Sequence, residues 1–322
     1  MKINNYLKIF YSLFLMNKKC IIVTYISNSR DIKGVLLLNY NFKKLKSKYK
    51  FACIVTENVS DKSINLLEKN NIIIFKFNLN NILKDCSITD SHINKIIDKH
   101  LFGKFCIFKL SDYDTILYLD TDTLPLTNID HLLEKNVTKK KIWMVQDMQA
   151  SSDYNSIILI KNRYNSGVII AEPSEYVFNN CFKLLCDEGE EFFNSNIFIS
   201  DQYIFEKLNN ENLIDIQTLE LKYNMHPILI ESTYKLKMTD KVYILHYMTQ
   251  PKPWDLYNLD IDHTFENTQC AELFKLWLHL YNEMIEIKYF SLKKNTNISG
   301  YYNGFYENNI LKYNSQLLTK FD

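Results

Sequence analysis

Four apolar runs bounded by polar residues occur in the first 120 positions and predict buried β-strands. They are CIIVTYIS (20–27), KFACIVTE (50–57), IIIFKF (72–77) and TILYLD (115–120). Helical patterns lie between them at 31–45, at 60–71 after the capping residue Ser60, and at 103–114. Continuously apolar strands that alternate with helices predict an α/β fold, with a mostly parallel sheet and helices on both faces.

The second half of the chain has a less regular pattern. It predicts strands at 141–147, 166–173 and 241–247, and helices at 174–188, 201–210 and about 270–288. No internal repeat or Gly/Ser linker interrupts the sequence, so we expect a single domain over 19–262. Residues 1–18 are then a leader or an extra helix, and residues 263–322 a helical, Tyr- and Asn-rich extension.

Composition narrows the class of protein. The chain has 322 residues, of which 47% are apolar, and a formal net charge of +1. These values indicate a globular protein. They show no excess of positive charge that would favour binding to nucleic acid or to an anionic membrane. Seven scattered cysteines without a CxxC motif are interpreted as reduced core residues of a cytoplasmic protein. The apolar stretch at 6–16 is too short to span a bilayer, which requires about 20 residues, so no transmembrane segment is expected.

The stretch LYLDTDTLP places Asp120 and Asp122, with Thr121 between them, at the end of the fourth predicted strand. In parallel α/β sheets, ligands bind at the carboxyl ends of the strands. Residues two apart in a strand point to the same side, so the two carboxylates can converge on one Mg²⁺ or Mn²⁺ ion. Three interpretations of the two aspartates are open at this point. Either they form a solvated turn, or they are the nucleophile and the acid of a phosphatase, or they bind a metal ion and a nucleotide diphosphate.

The phosphatase interpretation rests on the DxDxT pattern of the haloacid-dehalogenase type. Asp120 would accept a phosphoryl group, and Asp122 would act as the general acid. That fold normally begins with this strand, whereas three predicted strands precede it here. The nearest late acidic cluster, at 255–263, has no apolar strand ahead of it. The pattern therefore disfavours the phosphatase.

Five motifs occur together along the chain, in the order LYLDTDTLPLTNID, YNSGVIIAEPS, SDQYIFEKLN, KYN and HYMTQPKPW. In this order and approximate spacing they resemble glycogenin and its relatives, the family-8 retaining glycosyltransferases. The resemblance covers about residues 20 to 260 and includes VTYISNSRDIKG near the start. It implies a GT-A fold with a Rossmann-like central sheet, a UDP-sugar donor, and Mn²⁺ with Mg²⁺ as the other candidate cation.

The resemblance also implies roles for individual residues. By position in the motifs, Asp120, Asp122 and His246 correspond to the metal ligands, and Lys252 to the lysine that meets the diphosphate. A neutral imidazole adds metal affinity without further negative charge beside a diphosphate. The other implied donor-site residues are uracil and ribose contacts (Tyr25, Ser27, Asn28), basic residues (Lys95, Lys104), the residue between the aspartates (Thr121), residues facing the sugar (Asn165, Ser166), the DQ pair (Asp201, Gln202) and Thr249.

The expected chemistry follows from charge. Cleavage of the bond between the anomeric carbon and UDP leaves negative charge on the β-phosphate and an oxocarbenium-like sugar. Mn²⁺ and Lys252 are expected to stabilise the leaving group. Asp201 is the candidate nucleophile or stabiliser of the sugar cation, with Gln202 beside it. We favour attack on the face from which UDP departs, with the leaving diphosphate helping to take the acceptor proton.

Three positions depart from the family pattern. Phe198 replaces an acidic residue, Thr249 a glycine, and Asp31 a tyrosine that can stack near uracil. These changes leave the donor sugar open, with UDP-glucose or UDP-galactose expected. They also motivate a further alternative, a non-catalytic nucleotide-sugar-binding protein.

The acceptor is expected to be a glycan, a polyol or a protein. Self-glycosylation has one candidate residue in the corresponding segment, Tyr234, and no other support in the sequence. The C-terminal YYNGFYENN (301–309) has three interpretations: an acceptor tail, part of a homodimer surface, or a partly ordered tail.

Overall fold

The computed structural model describes residues 18–84, 102–150, 157–194, 200–227, 229, 242–248, 250–256 and 269–293. Within these residues the strands are β1 (Cys20–Ile26), β2 (Lys50–Val55), β3 (Ile73–Lys76), β4 (Thr115–Leu119), β5 (Thr123–Pro125), β6 (Lys141–Ala150), β7 (Ile157–Ala171), β8 (Asp215–Leu219) and β9 (Ile244–His246). The α-helices are α1 (Ile32–Lys44), α2 (Asp61–Lys69), α3 (Leu79–Leu83), α4 (Glu175–Asn194), α5 (Asp201–Asn210) and α6 (Gln269–Lys293).

Seven strands form one sheet in the order β3-β2-β1-β4-β7-β6-β8. β1 pairs in parallel with β2 and β4, and β6 pairs in parallel with β8, whereas β7 runs antiparallel to both β4 and β6. The prediction of a mostly parallel central sheet is therefore confirmed, with β7 as the reversed strand. The reversal brings the middle of β7 to the carboxyl end of β4, where Val168 pairs with Leu119.

Alternate residues of the central strands face opposite sides of the sheet and build two hydrophobic cores. In β1, Ile22 and Ile26 belong to one core, while Ile21, Val23 and Tyr25 belong to the other. The first core also contains apolar residues of α1, α2 and α6, and the second contains those of α3, α4 and α5. Helices thus cover both faces of the sheet, as the continuously apolar strands predicted.

A second, two-stranded sheet pairs β5 with β9 in antiparallel register. Thr123 lies opposite His246, and the Tyr247 N–H donates to the Asp122 carbonyl at 2.9 Å. The sequence pattern predicted a strand at 241–247 but not its partner, because a three-residue strand is too short to show a period. This short ribbon places a late histidine directly beside the aspartate pair.

Some local predictions differ from the structure. The helix expected at 103–114 is a 3-10 helix that spans Phe102–Lys109. A Cβ at Gly103 would lie 2.2 Å from the Tyr25 ring, so only glycine permits this close packing. β8 and α3 were not predicted, because an element of 5 residues carries too little periodicity.

The cysteines are mostly buried thiols. Cys53, Cys106 and Cys181 are buried and free, and Cys20 is half-buried and free. Burial raises the pKa of the Cys181 thiol well above its ordinary value, so it behaves as an apolar core group. Cys186 is disulfide-bonded. The expectation of reduced cysteines therefore holds for these four residues and is wrong for Cys186.

Several predicted features lie outside the described residues: residues 1–17 of the predicted leader, Lys95, Phe198, Tyr234, Thr249, and residues 263–268 and 294–322 of the predicted C-terminal extension. Among the helices that the structure does describe, none combines the length and the apolar character needed to cross a membrane.

Helix α6 packs against the first core. Trp277 is fully buried, stacks on Tyr281 with ring centroids 5.2 Å apart, and lies 5.8 Å from the Trp254 ring. The Tyr247 hydroxyl donates to the Leu273 carbonyl at 2.7 Å, which links the helix to the residue after β9. The described part of the predicted C-terminal extension thus shares a core with the sheet.

Replacing Trp277 by alanine is expected to lower the free energy of unfolding by about 3–5 kcal/mol, because loss of a buried indole leaves a cavity. Ile285 on the same helix exposes 41% of its surface and provides the matched control. Ile285→Ala should change the free energy by less than about 0.5 kcal/mol. Urea denaturation followed by circular dichroism measures both, and equal small effects would contradict a structural contribution from α6.

Candidate active site

Asp120 and Asp122 lie just beyond the carboxyl end of β4, in the turn that leads into β5. The Asp120 N–H donates to the Gly167 carbonyl at 2.9 Å, and the Thr123 hydroxyl donates to the Asp120 carbonyl at 2.8 Å. The Tyr118 hydroxyl donates to the Asp120 carboxylate at 2.6 Å. Neighbouring strands therefore hold both the turn and its first carboxylate in place.

Thr121 is half-buried, and its carbonyl lies against α1. A Cβ at Gly34 would lie 2.4 Å from the Thr121 oxygen and 3.0 Å from the Trp254 ring. The helix approaches the turn this closely only because residue 34 has no side chain. The structure thus places Thr121 between the two carboxylates and the packed start of α1.

Asp120, Asp122 and His246 form a candidate metal site, in which one ligand atom from each lies within 4.8 Å of the others. His246 Nε2 lies 3.2 Å from Asp122 Oδ1 and 3.7 Å from Asp120 Oδ2. Two carboxylates and an imidazole are a donor set that suits Mn²⁺ better than Mg²⁺. The structure therefore brings together the three residues that the resemblance implied as ligands, and their atoms fit a divalent cation.

Lys252 lies on the other side of the buried Asp122 carboxylate. Its ammonium is 2.5 Å from Asp122 Oδ2 and 3.1 Å from the Tyr247 carbonyl. Burial alone would raise the pKa of Asp122, but His246 and Lys252 together hold it below its ordinary value. The residue therefore carries a negative charge that a cation can bind.

Lys104 joins the candidate metal site to a second buried carboxylate. Its ammonium lies 3.1 Å from Asp120 Oδ1, 2.6 Å from Asp201 Oδ2 and 3.1 Å from Ser166 Oγ. Ser166 also donates a short hydrogen bond to Asp201. Burial alone would lower the pKa of Lys104, but Asp120 and Asp201 raise it above its ordinary value. These four predicted residues thus form one charged network.

The first turn of α5 holds Asp201 in this network. Ser200 caps the helix by accepting the Tyr203 N–H at 3.1 Å, so the helix begins at Asp201. A carboxylate in the first turn is also stabilised by the helix dipole. Gln202 follows and is half-buried. The DQ pair therefore lies at a helix N-terminus, and Lys104 links its aspartate to Asp120 of the candidate metal site.

Asn165 and Asn224 connect the reversed strand β7 to His246. Asn165 Oδ1 accepts from Asn224 Nδ2 at 2.6 Å, and Asn224 Oδ1 lies 2.8 Å from His246 Nδ1. Asn224 is fully buried, and sequence reasoning gave it no role. Its only signal was its place in the KYN motif that contributed to the resemblance.

The predicted nucleoside contacts lie at the carboxyl end of β1. The Tyr25 and Ser27 hydroxyls are buried and have no hydrogen-bond partner among the described residues. The Asn28 side chain accepts the Arg30 N–H at 2.8 Å and caps the following turn. Burial raises the pKa of Asp31, and the nearby Asp122 raises it further. Both hydroxyls are therefore enclosed by protein at this edge, while the Asn28 side chain is occupied locally.

The sheet with its reversed strand has the GT-A fold, which it shares with a solved galactosyltransferase described below. The chain belongs to glycosyl transferase family 8, whose family model matches residues 7–257.

Relatives of known sequence include protein R707 of Acanthamoeba polyphaga mimivirus, 22% identical over 80% of this chain and 91% of the relative. Inositol phosphorylceramide glucuronosyltransferase 1 of Arabidopsis thaliana is 25% identical over 74% of this chain and 43% of its own. Glycogenin-1 of Oryctolagus cuniculus is 26% identical over 72% of this chain and 65% of the glycogenin chain. The chain thus spans less than two thirds of the length of these two transferases.

One solved structure shares the fold over most of the molecule. The galactosyltransferase LgtC, solved in complex with donor and acceptor sugar analogs, has a TM-score of 0.56 and 14% sequence identity. The match covers 82% of this chain and 96% of that one.

Gly167→Ala is expected to displace the His246 imidazole, since a Cβ at position 167 would lie 2.2 Å from its Cε1 and 2.5 Å from its Nδ1. The variant should bind Mn²⁺ at least about tenfold more weakly than the wild type in an electron paramagnetic resonance titration. Ile169→Val on the same strand is the control for a general loss of stability. It removes one buried methylene, at a cost of about 0.5–1.5 kcal/mol, and should leave the Mn²⁺ affinity unchanged. Equal affinities in all three proteins would contradict the proposed contact.

Proposed function

We propose that this protein is a Mn²⁺-dependent retaining glycosyltransferase, which transfers a hexose from a UDP-sugar to a hydroxyl group of an acceptor. One observation carries the proposal: ligand atoms of Asp120, Asp122 and His246 lie within 4.8 Å of one another beyond the carboxyl end of β4. Ligands of such sheets bind at this edge. Membership of glycosyl transferase family 8 supports sugar transfer as the reaction.

The two aspartates and His246 would hold the cation, with Mg²⁺ as the alternative to Mn²⁺. When bound there, the cation supplies positive charge to a departing diphosphate. The Lys252 ammonium lies at the same edge, 2.5 Å from the Asp122 carboxylate. It would therefore offer the diphosphate a second positive charge. These contacts support Lys252 as the residue that binds the diphosphate.

The nucleoside is proposed to bind against Tyr25 and Ser27. These residues lie at the carboxyl end of β1, the edge at which ligands of such sheets bind. Asn28, which caps the turn that follows β1, is proposed to complete this contact. Lys95 and Thr249, which lie outside the described residues, stay predictions for the donor site.

Asp201 is proposed to stabilise the sugar cation instead of attacking it. Its Oδ2 lies 2.6 Å from the Lys104 ammonium and accepts a hydrogen bond from Ser166. A carboxylate oxygen that two donors hold is a weaker nucleophile, because its lone pairs are shared. The arrangement favours attack on the face from which UDP departs, with the diphosphate taking the acceptor proton and Gln202 helping to orient the sugar.

The donor sugar is proposed to be glucose or galactose, and the acceptor a glycan, a polyol or a protein. Relatives include enzymes named as a glycogenin and as glucuronosyltransferases, so a donor test should also contain UDP-glucuronate. Location in the cytoplasm and assembly as a homodimer stay predictions. The phosphatase alternative is not favoured, because the matched family transfers sugars.

UDP and Mn²⁺ together are expected to raise the melting temperature by several degrees, because a ligand at about 100 times its Kd adds about 2.7 kcal/mol of stability. Asp122→Asn should abolish most of this shift, because it removes a charged ligand. The control is Asp112→Asn, which removes the same charge from an exposed turn and should keep the full shift. An unchanged shift in Asp122→Asn would exclude Asp122 from the metal site.

A panel of UDP-glucose, UDP-galactose and UDP-glucuronate should show UDP release that depends on Mn²⁺ with at least one donor. Asp201→Asn should lower the rate by about 100-fold or more, since its charge is proposed to stabilise the transition state. Intact mass spectrometry then detects sugar added to the protein itself. UDP binding without release from any donor would overturn catalysis and support the non-catalytic alternative.

A further inference from the structure

The buried side chain of Asn224 lies between two proposed site residues. Its Oδ1 is 2.8 Å from His246 Nδ1, and its Nδ2 is 2.6 Å from Asn165 Oδ1. The same Asn165 oxygen accepts the Gly167 N–H at 2.9 Å. These contacts form a continuous chain of hydrogen bonds from a backbone amide to the imidazole.

The backbone amide determines the direction of every bond in this chain. A backbone N–H can only donate, so the Asn165 atom that faces Gly167 must be the carbonyl oxygen. Asn224 must then face that oxygen with its NH₂ group, which leaves its own oxygen facing His246. Because an amide oxygen only accepts, Nδ1 of His246 must carry a proton. In its neutral form this imidazole therefore keeps its proton on Nδ1, and Nε2, which faces the two aspartates, is the atom that a cation can bind.

The backbone around Asn224 keeps the side chain at this position. The following residue, Met225, donates its N–H to the Ile244 carbonyl at 3.0 Å, and the His246 N–H donates to the Met225 carbonyl at 2.9 Å. The Asn224 N–H itself donates to the Leu221 carbonyl at 3.0 Å. Backbone hydrogen bonds at Asn224 and at the next residue therefore hold the Asn224 side chain beside His246.

We propose that Asn224 is a positioning residue, which fixes the Nδ1–H tautomer of His246 and so prepares Nε2 to bind a divalent cation. The inference rests on the proposed metal-dependent function, but the proton on Nδ1 follows from the hydrogen-bond chain and requires no bound cation. Groups that orient metal-binding histidines typically contribute about 10- to 100-fold to metal affinity. The chain also couples the metal site to Asn165, the residue proposed to face the donor sugar.

The tautomer can be measured by ¹⁵N nuclear magnetic resonance of the metal-free protein, in a pH series that is continued until the spectrum shows a neutral His246 ring. The His246 signals are those that disappear in His246→Gln, and the neutral ring of the wild type should carry its proton on Nδ1 and none on Nε2. Asn224→Leu should mix the tautomers and lower the Mn²⁺ affinity by about 10- to 100-fold. Asn224→Asp keeps an acceptor oxygen and should keep the Nδ1–H tautomer.

Two further variants separate positioning from packing. Asn39→Leu removes a different buried amide, which donates to the Asn70 carbonyl at 3.0 Å, and should leave the tautomer and the metal affinity unchanged. Asn165→Ala keeps Asn224 but removes the acceptor of its NH₂ group. It should therefore mix the tautomers, and it provides the test if Asn224→Leu does not fold.

A neutral wild-type His246 ring that carries its proton on Nε2 would overturn the proposal. A tautomer that stays unchanged in both Asn224→Leu and Asn165→Ala would also overturn it, even if the metal affinity fell. An Nδ1–H tautomer that depends on Asn224, in a protein that binds no Mn²⁺, would support the positioning of His246 and overturn the metal-dependent function. The two proposals therefore fail in distinguishable ways.

Discussion

The burial of negative charge is the constraint on which the candidate site depends. Asp122 and Asp201 are both buried, and an isolated carboxylate in such surroundings is strongly disfavoured. Lys252 contacts the first, while Lys104 contacts the second and also reaches Asp120. One ammonium comes from the 3-10 helix before β4, and the other from the turn after β9. These ion pairs therefore connect the 3-10 helix, the aspartate turn, α5 and the segment after β9 through contacts that are separate from the hydrophobic cores.

Long apolar runs made most of the sheet predictable from the sequence, because they are the strongest signal of buried strands. Shorter elements were missed: β8 has 5 residues and β5 has 3. The reversed direction of β7 was not predicted either, since an apolar pattern is the same when read in both directions. The pairing of β5 with β9 depends on contacts between distant segments, which no local pattern contains.

The candidate metal ligands could be named from motifs, and the structure brings them together. The arrangement around them could not be predicted, because it depends on side-chain directions across separate elements. Lys104 was identified as a basic donor-site residue, but its place between two carboxylates follows only from packing. Asn224 belongs to a motif that contributed to the resemblance, yet the orientation of an amide cannot be read from residue spacing.

The ribbon of β5 and β9 closes a very long loop of the chain, since Asp122 and Lys252 are 130 residues apart. Closing such a loop costs conformational entropy, which three paired positions offset only in part. A cation held from both sides would add its binding free energy only in the fully folded chain. Metal supply would then influence how often the protein opens and how quickly proteases remove it, so the ion would regulate the lifetime of the protein as well as its chemistry.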